Sequence, residues 1–247
     1  MERVIQVFSD AEAVSVAAAE QVVKIAAQAI AERGGFYLAL AGGSTPKRLY
    51  QHLASEPFKQ QIDWKSVHIY FGDERSVGPE HADSNYRMAC EALLNHLDIP
   101  AQQIHRIEGE QTDLQNAAQK YEEALQLLPS SNAQPQFDLV LLGMGDDGHT
   151  ASLFPGTSAL DERSKPVVAL AVPQLNTSRV TLTYPVINNA QQVMFLVAGE
   201  AKAARLEEVL VSAPQGSYPV QSIQARSKLS WLLDKAAAAQ LPEALLR

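Results

Sequence analysis

Short apolar runs alternate with longer amphipathic stretches along most of the chain. The apolar runs predict strands, and their β-branched and aliphatic residues suit a buried sheet. The predicted strands cover residues 36–40, 67–71, 137–142, 167–172, 180–183 and 193–198. Since the run 137–142 is continuously apolar, it is typical of a parallel strand that is covered on both faces.

Polar residues and glycines mark the ends of the predicted helices between these runs. The stretch 10–33 has an acid at its start and Gly34-Gly35 after its end, as a capped helix should. Further helices are predicted from Thr45 as N-cap with Pro46 at the first helical position, from about Ser84, from a Thr112/Gln115 capping box to Leu128, from about Glu200, and near Trp231. Residues 129–136 read as a polar loop.

Alternating strands and helices indicate an α/β fold with a mostly parallel sheet. We therefore expect a Rossmann-like open sheet with helices on both faces. No repeat or composition shift divides the chain, so residues 1–247 are predicted to form a single α/β domain. Polar turns at the carboxyl ends of several strands should meet in one crevice, where open α/β sheets bind their ligands.

Composition and charge narrow the range of partners. The chain is 46% hydrophobic and 19% charged, which is ordinary for a globular protein. Its net charge is −8 and no run of Lys or Arg occurs, so nucleic acid is not an expected partner. The start lacks the apolar core of a signal peptide, and no stretch shows the ~18 apolar residues of a membrane span. With a single cysteine, Cys90, the expected location is the reducing cytoplasm, away from membranes.

The first motif with chemical meaning is Gly42-Gly43-Ser44-Thr45-Pro46, after a predicted strand. Small residues, two hydroxyls and the N–H groups of a following helix can cradle an anion. The spacing fits neither a P-loop nor a dinucleotide fingerprint. A plain strand-to-helix turn is the alternative interpretation.

A second motif, Asp73-Glu74-Arg75, also follows a predicted strand. A carboxylate there can orient a substrate hydroxyl or handle a proton, and Arg75 can reach a phosphate as a planar fork. A solvated salt-bridge cluster explains the same residues.

The third motif, residues 145–152 with the sequence GDDGHTAS, is the most informative. Its glycines imply an unusual backbone with room for a ligand. His149 is expected near a helix start, whose dipole disfavours the cationic ring and leaves it able to accept a proton. Asp147 is placed to hold the ring. The alternative is a histidine with a purely structural role.

Two further cations, Arg179 and Lys202, are candidate anion ligands. Lys202 falls in the first turn of a predicted helix, where it opposes the dipole, so a ligand-side role competes with an ordinary surface role. The other histidines are scattered, and none forms a zinc-type spacing, so no metal and no cofactor are expected.

Taken together, these segments resemble the 6-phosphogluconolactonase family, within the wider group that includes glucosamine-6-phosphate deaminases. The matching stretches are 40–46 (LAGGSTP), 71–75 (FGDER), 83–86 (DSNY), 143–155 (GMGDDGHTASLFP), 179–183 (RVTLT), 199–203 (GEAKA) and 231–234 (WLLD). Deaminases resemble the chain up to His149 but then carry a glutamate near the position of Phe154, which assists sugar ring opening. Its absence favours the lactonase branch.

The resemblance implies hydrolysis of 6-phospho-D-glucono-1,5-lactone to 6-phosphogluconate, a step of the oxidative pentose phosphate pathway, without a metal. It implies His149 as the general base on water, with Asp147 orienting it. Backbone N–H groups of the glycine-rich turns and the nearby Arg75 are both candidate donors to the developing oxyanion. The phosphate would bind the cradle of Gly42, Gly43, Ser44 and Thr45, with Arg179 and Lys202 supplying charge. Asp73 would contact sugar hydroxyls.

Two alternatives remain open on the sequence. One is an aldose–ketose isomerase or deaminase of amino-sugar phosphates. The other is a non-catalytic sugar-phosphate sensor, although the chain has no segment to spare for an output module. Protein partners are not predicted.

Overall fold

The computed structural model describes residues 1–131 and 134–245. Its helices are α1 (Ala11–Arg33), α2 (Ser44–Leu53), α3 (Asn85–Ala92), α4 (Leu114–Leu125), α5 (Tyr184–Ile187) and α6 (Ala203–Glu207). Its strands are β1 (Glu2–Phe8), β2 (Phe36–Leu40), β3 (Val67–Phe71), β4 (Asp73–Arg75), β5 (Ser130–Ser131), β6 (Gln134–Pro135), β7 (Leu139–Leu142), β8 (Val167–Val172), β9 (Thr177–Leu182), β10 (Gln192–Val197) and β11 (Lys228–Asp234).

The central sheet is parallel throughout, with the strand order β1-β11-β10-β7-β2-β3. All four residues of β7 are buried. Because successive side chains of a strand point to opposite faces, this burial means that both faces of the sheet centre are covered. The predicted α/β fold, with a mostly parallel sheet flanked by helices, is therefore confirmed.

A second, three-stranded sheet lies apart from the first and is antiparallel, in the order β4-β9-β8. The sequence predicts the strands 167–172 and 180–183 but gives no sign that they leave the central sheet. Helix α4 packs against β8 and β9. The register sets Arg75 directly opposite Arg179, so the two side chains leave the same face of this sheet.

Helix α1 confirms the local prediction of its ends. The carboxylate of Asp10 accepts from the N–H of Ala13 at 2.9 Å, and Gly34 ends the helix at φ +78°. By length and composition alone this helix could cross a membrane. Seven of its residues are buried within the fold: Val14, Ser15, Ala18, Ala19, Val22, Ala26 and Ala29. That pattern is typical of a helix packed on a sheet.

The predicted helix near Trp231 is wrong, because residues 228–234 form β11 in the sheet interior. Trp231 is paired with Ile5 on one side and Phe195 on the other, and its ring stacks on Phe195 at 4.0 Å. Two parallel neighbours from distant parts of the chain therefore decide the conformation of this segment, and local propensity does not.

Three smaller predictions differ at helix and loop boundaries. Helix α2 begins at Ser44, and its N-cap is Gly43 at φ +102°. Thr45 and Pro46 therefore lie inside the helix, and the predictions of Thr45 as N-cap and Pro46 as the first helical residue are wrong. Asp113, one residue after Thr112, caps α4 by accepting from the N–H groups of Gln115 and Asn116, and the helix ends at Leu125. The predicted loop 129–136 contains the short hairpin β5–β6.

Candidate active site

A cavity of about 370 Å³ opens at the carboxyl ends of the central strands. Nine of the ten candidate residues line it: Gly42, Gly43, Ser44, Thr45, Asp73, Arg75, His149, Arg179 and Lys202. The tenth, Asp147, contacts the ring of His149 from outside the cavity wall. Segments far apart in the sequence thus meet at one place, as expected where parallel strands end.

His149 and Asp147 form a directed pair on the base turn, as residues 145–149 are called below. The Nδ1 atom of His149 lies 2.6 Å from Oδ1 of Asp147, which also accepts from the backbone N–H of His149 at 3.1 Å. Since an ionised carboxylate can only accept, Nδ1 carries the proton and Nε2 keeps its lone pair. Partial burial acts to raise the pKa of Asp147, but the hydrogen bonds from His149 outweigh it and hold that pKa below its usual value.

The imidazole of His149 packs closely against two neighbours. Phe154 stacks on the ring with centroids 4.0 Å apart. On Gly145, an added Cβ would lie 2.1 Å from the Nδ1 and Cε1 atoms of the ring, so only glycine fits there. The ring is therefore held in one orientation by packing as well as by Asp147.

The expected helix start after His149 is wrong. Residues 150–157 form turns, with Gly148 at φ +76° and Ala151 at φ +48°. The dipole of the expected helix is therefore absent at this position. The carboxylate of Asp147 instead holds the proton on Nδ1 of the imidazole.

The glycine N–H groups of the base turn are used within it. Gly145 donates to the carbonyl of His149 at 2.9 Å, and Gly148 donates to that of Gly145 at 3.1 Å. These two amides cannot serve as donors to a substrate oxyanion without breaking the turn. Other donors line the cavity, among them the side chains of Arg75, Arg179 and Lys202 and the start of α2.

Helix α2 starts at the cavity wall, and among the described residues no side chain caps it. The N–H groups of its first turn have no acceptor inside the helix, and the first turn carries no acid. This is the arrangement that binds an anion at a helix N-terminus. Gly42 leaves room for Asn85, whose Oδ1 would lie 2.2 Å from a Cβ at that position.

The two neighbouring acids after β3 have different environments. Asp73 lines the cavity and accepts from Ser152 Oγ at 2.6 Å and from Asn85 Nδ2 at 3.3 Å. Glu74 is buried and accepts from the N–H groups at the start of α3, those of Asn85 and Tyr86, both at 2.8 Å. Burial raises the pKa of Glu74, although these N–H donors oppose it. Glu74 anchors a helix, and only Asp73 faces the cavity.

Three cations surround the cavity. Arg75 and Arg179 face each other across β4 and β9, and burial, with Arg75 adding, lowers the pKa of Arg179. Like charges set directly opposite each other in a sheet are unfavourable unless an anion lies between them. On the other side, Lys202 forms an ion pair with the carboxylate of Asp146. An anion that enters this space meets positive charge from two sides.

The sequence interpretation missed three residues that complete the site: Asn85, Ser152 and Phe154. Asn85 and Ser152 are buried polar residues that hold Asp73, and Phe154 supports His149. All three fall inside the matching stretches 83–86 and 143–155, and this position is the signal by which the sequence could have identified them. In the described part of the chain, no group of three or more His, Cys, Asp or Glu is placed to hold a metal ion.

Comparison with known proteins identifies the family. Residues 9–231 match the family described as glucosamine-6-phosphate isomerases/6-phosphogluconolactonase. A 6-phosphogluconolactonase of Nostoc sp. is 42% identical over 244 residues, covering 98% of this chain and 99% of that protein. One of Synechocystis sp. is 44% identical over 217 residues, covering 87% and 88%.

A solved structure of 6-phosphogluconolactonase from Trypanosoma cruzi has a TM-score of 0.84 to this chain. The two sequences are 30% identical, and the match covers 98% of each chain. Sequence and fold therefore agree over almost the whole length: this chain belongs to the glucosamine-6-phosphate isomerase/6-phosphogluconolactonase family.

Proposed function

We propose that this protein hydrolyses 6-phospho-D-glucono-1,5-lactone to 6-phosphogluconate, with His149 as the general base. The observation that carries the proposal is the 2.6 Å contact of Asp147 with Nδ1 of His149, a residue that lines a cavity together with three cations, so that Nε2 is the nitrogen left to act as a base. The relatives at 42% and 44% identity that are named 6-phosphogluconolactonase support the substrate. The reaction belongs to the oxidative pentose phosphate pathway, and we infer a single cytoplasmic domain.

In the first step, His149 Nε2 takes a proton from water as its oxygen bonds to the lactone carbonyl carbon. The carbonyl electrons move to the oxygen, giving a tetrahedral oxyanion, while the carboxylate of Asp147 stabilises the imidazolium. In the second step, the bond from this carbon to the ring oxygen breaks. The imidazolium returns its proton to that oxygen, and the product is an open-chain acid.

Among the side chains of the cavity, Arg75 would supply the positive charge that stabilises the oxyanion formed from the lactone carbonyl. The amides of Gly145 and Gly148 are already hydrogen-bonded within the base turn, so Arg75 is the better candidate for the oxyanion. Asp73, held by Ser152 and Asn85, would accept from sugar hydroxyls.

The substrate phosphate would bind the start of α2 at Gly42, Gly43, Ser44 and Thr45. Arg179 and Lys202 would supply charge from the two sides of the cavity. Lys202 would exchange its contact with Asp146, whose side chain is 81% exposed, for the phosphate. This arrangement explains how a protein with net charge −8 accepts an anionic substrate.

A deaminase reaction has less support from the same site. The position near which deaminases carry their ring-opening glutamate holds Phe154, which stacks on the catalytic ring. An apolar side chain there supplies no proton relay for opening a hemiacetal.

The test is hydrolysis of the lactone, generated in situ because it also opens spontaneously. Wild type and His149→Ala are assayed side by side, with and without a chelator. General-base catalysis contributes on the order of 10²–10⁴-fold, so the variant should lose about that factor in kcat. A chelator should have no effect. A wild-type rate no higher than the spontaneous rate would refute the lactonase proposal, and ammonium release from glucosamine 6-phosphate would then be assayed.

A further inference from the structure

We propose that Arg205 and Tyr218 are positioning residues, which hold the base turn so that Asp147 faces His149. The inference rests on the proposed function for its kinetic consequence. Neither residue lines the cavity, and neither falls in a motif that the sequence singles out. They act on the turn from its outer side.

Arg205 lies in α6, and its side chain donates a hydrogen bond to the backbone of the base turn. Its Nε donates to the carbonyl oxygen of Asp146 at 2.8 Å. Its Nη1 donates to Glu208 and to the hydroxyl of Tyr218, and its guanidinium lies 4.4 Å from the centre of the Tyr218 ring. The planar fork of an arginine makes these contacts together, which a lysine cannot do.

Tyr218 supports the same turn two residues further along. Gly148 takes φ +76°, and a Cβ at this position would lie 2.7 Å from the Tyr218 ring. Close by, the N–H of Val220 donates to the carbonyl of Gly148 at 3.1 Å. The ring therefore packs directly against the glycine backbone.

The two contacts fall on either side of Asp147. Asp146 is held by Arg205, and Gly148 is held by Tyr218, so the backbone that carries the Asp147 carboxylate is fixed at both neighbours. A shift of about 1 Å in catalytic geometry can cost on the order of 10²-fold in rate. Glu208 balances the charge of Arg205, which leaves the arginine no need of a substrate anion.

The chain offers a closely matched control in Arg106. It pairs with Glu110 at 2.7 Å and lies 5.8 Å from the centre of the Tyr86 ring, as Arg205 pairs with Glu208 and lies over Tyr218. The side chains of both arginines are 29% exposed. Only Arg205 contacts the base turn, so a comparison of the two separates positioning from general stability.

The experiment compares Arg205→Met with Arg106→Met in lactone hydrolysis, thermal unfolding and long-range 1H–15N spectra of the histidine rings. For Arg205→Met, we expect kcat to fall about tenfold with KM changed less than about threefold. The His149 signals should show mixing of the two neutral tautomers, whereas the wild type shows protonated Nδ1 alone. Arg106→Met should keep the wild-type kcat and spectrum with a similar change in melting temperature.

Conservative variants give a second measurement. Arg205→Lys should recover part of kcat, since it can still donate to the Asp146 carbonyl. Tyr218→Phe keeps the ring on Gly148 and should retain more activity than Tyr218→Ala. The inference is overturned if Arg205→Met keeps the wild-type kcat and His149 spectrum, or if Arg106→Met shows the same losses. If the wild type lacks lactonase activity, the proposed function fails, yet the His149 spectra still report whether Arg205 orients the turn.

Discussion

Two of the histidines that stack on aromatic rings in this protein, His149 and His105, have different surroundings. His149 stacks on Phe154 at 4.0 Å, and His105 stacks on Tyr70 at 4.3 Å. His149 has the carboxylate of Asp147 on one nitrogen and the cavity beside it. His105 has a second histidine, His68, 6.1 Å away, and among the described residues no carboxylate is hydrogen-bonded to its ring.

The difference supports the proposal that His149, and not His105, is the general base. In the described structure, Nε2 of His105 is buried without a hydrogen-bond partner. Burial lowers the pKa of His105 to about 4, with His68 adding to the effect. Burial therefore keeps the ring of His105 neutral at pH 7, and stacking on Tyr70 does not make it a base. A carboxylate partner and access to a cavity are what direct a lone pair at a substrate.

Removing the carboxylate from the active pair gives the largest expected effect. Asp147→Asn leaves a side chain of the same size but no charge to stabilise the imidazolium or to impose the Nδ1–H tautomer. We expect kcat for lactone hydrolysis to fall on the order of 10²-fold, with KM little changed. Steady-state kinetics at neutral pH provides the measurement.

The neighbouring aspartate serves as the control for that variant. Asp146 is on the same turn, but its carboxylate pairs with Lys202. Asp146→Asn should therefore act on KM through Lys202 and leave kcat within about threefold of wild type. Equal losses of kcat in the two variants would show that the turn, and not the Asp147 charge, matters.

The sequence predicts best where a local rule decides the structure. Asp10 caps α1 through its own side chain and Gly34 ends it at positive φ, so both ends are readable from a few residues. Candidate residues as distant as Thr45 and Lys202 could be expected at one cavity because parallel strands end at the same edge of a sheet.

The sequence predicts poorly where distant neighbours decide. Trp231 lies in a strand because β1 and β10 pair on either side of it. Glu74 resembles Asp73 in sequence, yet its carboxylate is buried at the start of α3. Arg205 and Tyr218 meet the base turn only through the tertiary fold, and nothing in their own segments signals that contact.

Removing one of the three cations around the cavity should have an intermediate effect on catalysis, and it should act on substrate binding. Arg179→Met would remove the proposed charge-assisted contact to phosphate, worth about 1.5–3 kcal/mol, so KM should rise about 10- to 100-fold. Relief of the repulsion from Arg75 should leave the free energy of unfolding unchanged or a few tenths of a kcal/mol higher. Kinetics and urea denaturation measure the two quantities.

A lactone without the phosphate group separates phosphate binding by Arg179 from the hydrolysis of the lactone bond. With glucono-1,5-lactone, wild type and Arg179→Met should show kcat/KM values within about twofold, since the lost contact has no counterpart. Asp147→Asn should remain impaired on both lactones. If Arg179→Met were as impaired on the phosphate-free lactone as on the phosphorylated one, the arginine would act at the reacting carbonyl.

The smallest expected effect concerns His105, and it falls on stability. The unfolded chain protonates this ring near its ordinary pKa of 6.5, whereas the folded protein does so near 4. Between these pH values the unfolded state binds the extra proton, so stability falls as the pH drops through this window. His105→Phe keeps an aromatic ring in the stack and removes the buried nitrogen, so it should lessen the loss of stability from pH 6.5 to 4 by about 1–2 kcal/mol.

Urea denaturation at pH 7, 5.5 and 4 measures this effect, with His81→Gln as the control because the His81 side chain is 53% exposed. His105→Phe should keep kcat within about twofold of wild type, since it has no route to the substrate. A loss of kcat comparable with that of Asp147→Asn would mean that the stacked histidines take part in the reaction. An effect of His105 on acid stability but not on kcat, beside an effect of Asp147 on kcat, would show that the two stacked histidines have separate tasks, since His149 has the Asp147 carboxylate on its ring and His105 is buried beside His68.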